Sequence, residues 1–421
     1  MIELQNPKGT RDINVDEKIQ INRIIKIITG VFEKYGFNPL QTTILEKYET
    51  LSAKYAGGSE ILKETFKLND QGKRNLGLRY DLTVPLARYV AMNPNIKMPF
   101  KRYELGQVFR DGPIKPGRYR EFIQCDADVV GSSSMLADAE CAAMASEIFS
   151  KLNFKFIIRV NNRKILDAIL EAYNISENKR ETVILSIDKL DKIGVSGVKK
   201  ELSSKGFKNL DKMLNLIFTN DLDDIKKVIK NQDGINEIKE TLNFCKLLNA
   251  KNVKFDSSLA RGLAYYTGTI FEVFAENSKI NSSIAAGGRY DNMVGDFIGN
   301  KKIPAVGISF GIDIILDVIK DLSKEDYVKN VVEFYLIPIN TLNESLSILQ
   351  KLRSSNLKCD IDLNSRGISK NLEYANSLSI PYVIFIGKEE LKQNKVKLRD
   401  MKTGKEKLLT VTELILKFKK F

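Results

Sequence analysis

Arg110, Arg118, Arg120, Gln124, Asp126 and Asp128 all fall in one stretch, FKRYELGQVFRDGPIKPGRYREFIQCDADVVG, running from Phe100 to Gly131. A guanidinium is a planar fork of donors that fits a carboxylate or a phosphate. Gln124, Asp126 and Asp128 alternate with Cys125 and Ala127. A strand sends every second side chain to the same face, so these three share one. Such a face can hold a small polar molecule, with an arginine aimed at an anion beside it. The spacing predicts two strands joined by a basic loop, Arg110 closing the first and Arg118 and Arg120 opening the second.

The rest of the composition narrows the chemistry. The chain has no histidine, which excludes His-based triads, His general bases and His-ligated metals. Cys125, Cys141, Cys245 and Cys359 are far apart, a spacing that gives neither a zinc cluster nor a redox pair and fits reduced thiols. Carboxylates, Arg, Lys, Tyr, an oxygen-ligated metal or the substrate's own groups must do the work.

Several elements must position that face. Asp16–Tyr35 carries apolar residues at helical spacing, and Gly36 follows where a helix end favours positive φ. Phe37-Asn38-Pro39-Leu40 leads into an extended segment. Thr65–Leu68 and Gly77–Tyr80 read as short strands about a turn. Asp81, Leu82 and Thr83 are expected to end a strand, with Thr83 capping the next helix and Pro85 in its first turn. Ser134–Leu152 is an amphipathic helix and Phe156–Val160 a strand. Residues 161–253 turn Lys-, Leu- and Asn-rich and helical, with breaks at Gly194–Gly197 and Gly206. Strand chemistry returns in FDSSLARGLAYYTGTIFEVFAE, from Phe255, with a turn at Arg261-Gly262 and a strand over Thr269–Phe274. In Ala285–Gly299 a glycine pair permits close backbone approach. Pro304–Lys320 is a glycine-spaced strand that becomes a helix; Gly307 and Gly311 make no dinucleotide fingerprint. From residue 331 strands and helices alternate, which predicts a small α/β domain with a mainly parallel sheet.

At 421 residues the chain is too long for one core. Hydrophobic content of 43% and charged content of 28% are those of a globular protein. No run is apolar enough to span a membrane. The opening MIELQNPKGTRDI has no apolar signal core, so a cytoplasmic protein is expected. The net charge of +13 favours nucleic acid, nucleotides or an anionic surface as partners. Residues 331–421 hold 16 Lys and Arg against 10 Asp and Glu, almost half of that excess.

Taken together, these blocks resemble the histidyl-tRNA synthetases, which are class II aminoacyl-tRNA synthetases. Pro7–Asp12 is similar to the family's opening and Asp16–Pro39 to its dimer-forming first motif. Arg110–Gln124 is similar to the second motif, and Arg261–Tyr266 and Ala286–Asp291 to the two histidine-specific motifs. The resemblance implies an α+β fold: an antiparallel sheet flanked by helices, a helical insertion and a C-terminal α/β anticodon-binding domain. The implied divisions are 1–160, 161–253, 254–325 and 331–421. It implies activation of L-histidine with ATP and transfer to tRNA(His), with Mg²⁺ carried on the ATP phosphates, in a homodimer.

The same resemblance implies the site. Arg110 and Arg261 would hold the α-phosphate and the substrate carboxylate, and Gln124, grouped with them as catalytic, would hold the substrate's polar head. The segment Asp81-Leu82-Thr83 would hold the ammonium. Asp128, Tyr265 and Tyr266 would line the imidazole pocket, closed by Gly287 and Gly288. Phe122 would stack on adenine, and Lys115, Arg118 and Arg120 would reach the tRNA acceptor end. No metal site of the protein's own is implied. In-line attack by the substrate carboxylate needs positioning and positive charge rather than a protein base, which suits a chain without histidine. Ile314 stands where the family's third motif carries an arginine, Ala264 where an acidic residue is common, and Ile123 where an aromatic or His is common. The rival expectations are a non-catalytic regulatory subunit that binds histidine and a tRNA-binding accessory protein.

Overall fold

A computed structural model describes residues 4–53, 60–114, 117–261, 265–299, 301–322 and 329–418. It divides into two compact units, one of residues 1–11 and 24–324 and one of residues 12–23 and 325–421. Helix Val15–Lys34 buries Ile24, Ile28, Val31 and Phe32 in the first unit at helical spacing. It ends as the sequence predicts. Gly36 takes φ +79°, its N–H reaches Glu33 O, and Phe37 N–H reaches Phe32 O. These paired bonds satisfy carbonyls that a helix end leaves open.

The first unit is organised on an eight-stranded sheet. Its strands are β1 (Asn38–Pro39), β5 (Phe100–Phe109), β6 (Glu121–Val130), β7 (Phe156–Asn162), β8 (Val253–Phe255), β9 (Thr269–Ala275), β10 (Ala285–Arg289) and β11 (Ala305–Gly311). Strands β2 (Leu45–Lys47), β3 (Lys67–Asn69) and β4 (Asn75–Leu78) form a separate small sheet in the order β2-β4-β3. The large sheet runs β1-β5-β6-β11-β10-β9-β7-β8. Its inner pairs are antiparallel and both edge pairs parallel. Phe32 and Phe149, the latter from helix Met135–Lys151, both pack on Phe310 of β11, at ring separations of 5.6 and 5.7 Å. Alternation leaves the neighbouring residues to the opposite face, where Gln124, Asp126, Asp128 and Ser309 meet.

Two local expectations change. Strand β4 stops at Leu78, so Asp81 and Leu82 form a connection and Thr83 opens the next helix, with none of the three ending a strand. The helix that follows is Thr83–Met92, and Thr83 does not cap it. Asp81 Oδ1 accepts from Thr83 N at 3.1 Å and Val84 N at 3.0 Å. A carboxylate two residues earlier reaches the same open N–H groups and carries the charge the helix start favours. Likewise β5 ends at Phe109, with Arg110 just beyond it, though Arg110 N still bonds Arg120 O across the hairpin.

Between β7 and β8 lie six helices, over Arg163–Leu247. Gly194, at φ +68°, kinks one of them, and Gly206, at φ +86°, follows its end. The last, Asp233–Leu247, packs Cys245 and Phe244 on Ala139 and Ala142 of helix Met135–Lys151.

The second unit has strands β12 (Phe334–Ile339), β13 (Cys359–Ile361), β14 (Tyr382–Gly387), β15 (Val396–Asp400) and β16 (Glu406–Leu409), in the order β13-β12-β14-β15-β16. Phe334 and Leu336 face one core, with Leu352, Ile384 and Leu414. Tyr335 and Ile337 face another, with Ala375 and Val383. The expectation of a mainly parallel sheet needs correction. β13, β12 and β14 are parallel, but β14-β15 and β15-β16 are antiparallel. The turn between β15 and β16 is too short for the crossover that parallel strands require.

Candidate active site

The cleft, of about 550 Å³ to its open mouth, has its floor on β6, β10 and β11. Gln124, Asp126 and Asp128 line it, as alternation predicts. In the sheet register Asp128 lies opposite Arg102 of β5 and Gly307 of β11. A Cβ on Gly307 would come within 1.9 Å of Asp128 Oδ1, so the carboxylate lies over a position that has no room for a side chain. Arg102 pairs with Asp128 at 2.9 Å and donates to Leu82 O at 3.0 Å. Tyr290 Oη donates a short hydrogen bond to Asp128 Oδ1. One arginine thus ties the floor to the segment at residues 81–83.

Asp81 and Thr83 line the adjoining wall. Leu82, between them, is fully buried. Its side chain stays out of the cleft, and what it offers the site is the carbonyl that Arg102 holds. Arg261 enters from another wall, pairing with Glu272 at 3.1 Å and lying 5.5 Å from the Tyr266 ring. Burial works against its charge, and Tyr266 and Glu272 more than offset that, so its pKa is raised and it stays a cation. The Tyr265 and Tyr266 rings pack at 4.7 Å with their planes tilted by 52°, and both line the cleft. Gly287 and Gly288 complete it. A Cβ on Gly287 would meet Gly307 O at 2.0 Å, and one on Gly288 the Tyr266 ring at 2.9 Å. Only glycine lets β10 close against β11 and the tyrosine here.

Arg110 lines the cleft with its guanidinium over Tyr80, at 4.2 Å, and over Phe122, at 4.9 Å. Phe122 itself is not among the lining residues. Arg118 is exposed on the hairpin loop, and Arg120 pairs with Asp111 at 3.0 Å. Lys115 and Ala264 lie outside the described residues. Near the loop, Asp313 accepts from Ile123 N at 2.9 Å and pairs with Arg11 at 3.4 Å. Ile314 beside it faces the turn at Gly117.

Asp126, Tyr290, Ser309 and Tyr80 also line the cleft; the sequence places Asp126 on the polar face but gives none of the four a role of its own. Asp126 carried a signal, its shared strand face. Arg102 carried none, and Tyr290 only its place in the motif Ala286–Asp291, because the contacts that matter join residues far apart in the chain. Electrostatically the floor is unusual. Burial and the charge of Asp128 push the Asp126 carboxyl up to about 8. Burial raises Asp128 as well, against the pull of Arg102. The Tyr290 hydroxyl is held well above its usual range by burial and by Asp128.

The arrangement suits one small zwitterion with a polar ring beside a phosphate-bearing partner. Comparison with known proteins gives the family. Residues 9–315 match the family model described as histidyl-tRNA synthetase, and residues 333–421 match that of an anticodon binding domain. The chain is 46% identical to histidine–tRNA ligase 1 of Bacillus cereus, over 98% of this chain and 99% of that one. It is 37% identical to the histidine–tRNA ligase of Clostridium tetani, over 97% and 96%. The crystal structure of histidyl-tRNA synthetase from Nostoc superposes with a TM-score of 0.88 at 30% identity, covering 99% of each chain. The matched residues run through every strand of the cleft and on through the second unit, so the chain belongs to the histidyl-tRNA synthetase family.

Proposed function

We propose that the protein is a histidine–tRNA ligase whose described cleft activates L-histidine with ATP, releasing pyrophosphate, and then passes histidine to the end of tRNA(His). The observation that carries this is convergence. Arg110, Arg261, Asp81, Thr83, Gln124, Asp128, Tyr265 and Tyr266 come from separate parts of the chain and line one cleft.

In this reading Arg261, fixed by Glu272, holds the substrate carboxylate. Arg110, fixed by Tyr80 and Phe122, takes the α-phosphate. The carboxylate attacks phosphorus in line, and two preorganised guanidinium groups stabilise the charge that develops. Asp81 and Thr83 take the ammonium at the helix start. Asp128 and the tyrosine pair line the ring's pocket and penalise apolar side chains by leaving buried polar groups unpaired. Adenine takes the face of Phe122 that Arg110 leaves. Among the described residues no three acidic or thiol groups converge as a metal site. Mg²⁺ fits as an ion carried by the phosphate oxygens and water, where it neutralises charge. Arg118 and Arg120 lie toward the tRNA acceptor end, and the second unit takes the anticodon. A homodimer in the cytoplasm completes the reading. No helix among the described residues is long and apolar enough to cross a membrane.

Exchange of labelled pyrophosphate into ATP tests this. The expected result is exchange that depends on histidine, followed by charging of tRNA(His). Histidine binding without exchange would replace the enzyme with a regulatory subunit, the alternative that Ile314 favours by removing a cation from the third motif.

A further inference from the structure

The floor of the cleft buries more carboxyl groups than it has cations to match. Arg79, Arg102, Glu104, Asp126 and Asp128 are each no more than 3% exposed. Two of the carboxylates have a cation of their own. Arg79 pairs with Glu104 at 2.8 Å, which also accepts from Thr42 N and Oγ1, and Arg102 pairs with Asp128 at 2.9 Å. Asp126 has none. Its Oδ1 is buried without a hydrogen-bond partner, and so is the Oε1 of its neighbour Gln124. Both residues line the cleft. Two cations against three carboxylates leave one charge that burial makes expensive.

Resting on the reading that histidine binds in this cleft, we infer that Asp126 is a specificity-determining residue that fixes the ring's protonation state. In the empty cleft it keeps the proton that the floor requires. When histidine binds, the carboxyl O–H proton moves to the unprotonated ring nitrogen. Asp126 becomes a carboxylate and the ring an imidazolium held by Asp126 and Asp128. The transfer needs no proton from solvent near neutral pH.

The surroundings of Asp126 support this. On its own strand it faces Asp128. From β5 it faces Arg102 and its register partner Glu104, and from β11 Ser309. Asp81 adds a further negative group, and Tyr290 is neutral. Arg110 and Arg261 stand on the walls. Burial raises the empty-state carboxyl to about 8, above the ordinary imidazole value of about 6.5. Contact between the pair reverses that order, because each charged form stabilises the other.

The protein has no histidine of its own, so ring-¹⁵N histidine is the only imidazole in a sample of the complex. Near neutral pH the wild-type complex is expected to show both ring nitrogens in the imidazolium range. Asp126→Asn is expected to shift one of them to the unprotonated range. In pyrophosphate exchange, wild type should prefer histidine over β-(1,2,4-triazol-3-yl)alanine, whose ring is hard to protonate, by about 10²-fold in kcat/KM. Asp126→Asn should narrow that ratio about tenfold or more, with KM for ATP unchanged. A neutral ring in the wild-type complex overturns the inference, as does an undiminished preference in Asp126→Asn. The wild-type spectrum needs no variant, so a folding defect in Asp126→Asn leaves the test intact. Absence of histidine binding in wild type would instead sink the reading of the cleft itself.

Discussion

The floor and the rim of the cleft use the same residue types to opposite ends. On the floor, Arg102, Glu104, Asp126 and Asp128 sit in β5 and β6, buried and held by the sheet's register. On the rim, Arg118 is exposed, and Arg120 pairs with an Asp111 that is 45% exposed. A buried charge interacts strongly and cannot relax. An exposed one is screened and contributes at most about 1 kcal/mol to a pair. The floor can therefore decide which small molecule is accepted. The rim can attract a polyanion without fixing its exact position.

Removing charges from the two regions tests that contrast. The largest effect is expected from Arg102→Ala, which leaves Asp128 buried beside an empty space and frees Leu82 O. Urea unfolding should show a loss of about 3–5 kcal/mol; a loss below about 1 kcal/mol would make the floor no different from the rim. Arg261→Ala should come next, lowering histidine-dependent exchange about 10²-fold while tRNA affinity stays nearly intact. If tRNA affinity fell in step, Arg261 would belong to the rim in function. The smallest effect is expected from Arg118→Ala. Exchange should remain within about twofold, while the slope of log affinity for tRNA against log salt shrinks by about one. An unchanged slope would remove Arg118 from the tRNA contact.

What could be foreseen follows from how local each cause is. Alternation along Glu121–Val130 is a property of ten adjacent residues, so the polar face was legible. The helix end at Gly36 was legible for the same reason. The partners of that face were not. Arg102 meets Asp128 only through the register of β5 on β6, and Tyr290 reaches it across 162 positions. The capping of helix Thr83–Met92 was misassigned because Asp81 and Thr83 both have side chains that cap, and only geometry chooses between them. Strand β16 was missed because Glu406-Lys407-Leu408-Leu409 has a weak apolar pattern. Its pairing with β15 turns the end of the sheet antiparallel.

The sheet edge at β7 and β8 leaves the molecule an open slot. The two strands are parallel neighbours, with Ile158 opposite Val253, so some crossover between them is obligatory. Its length is hardly constrained, because the entropy of closing a loop rises only slowly with its size. The last helix, Asp233–Leu247, is anchored to the core through Cys245. The helices before it are tied through Ile217 and Asn220 to Ser257, so descendants of this chain can vary them in their loops rather than exchange them whole. The cleft, built on the inner strands, would keep its register through every such change.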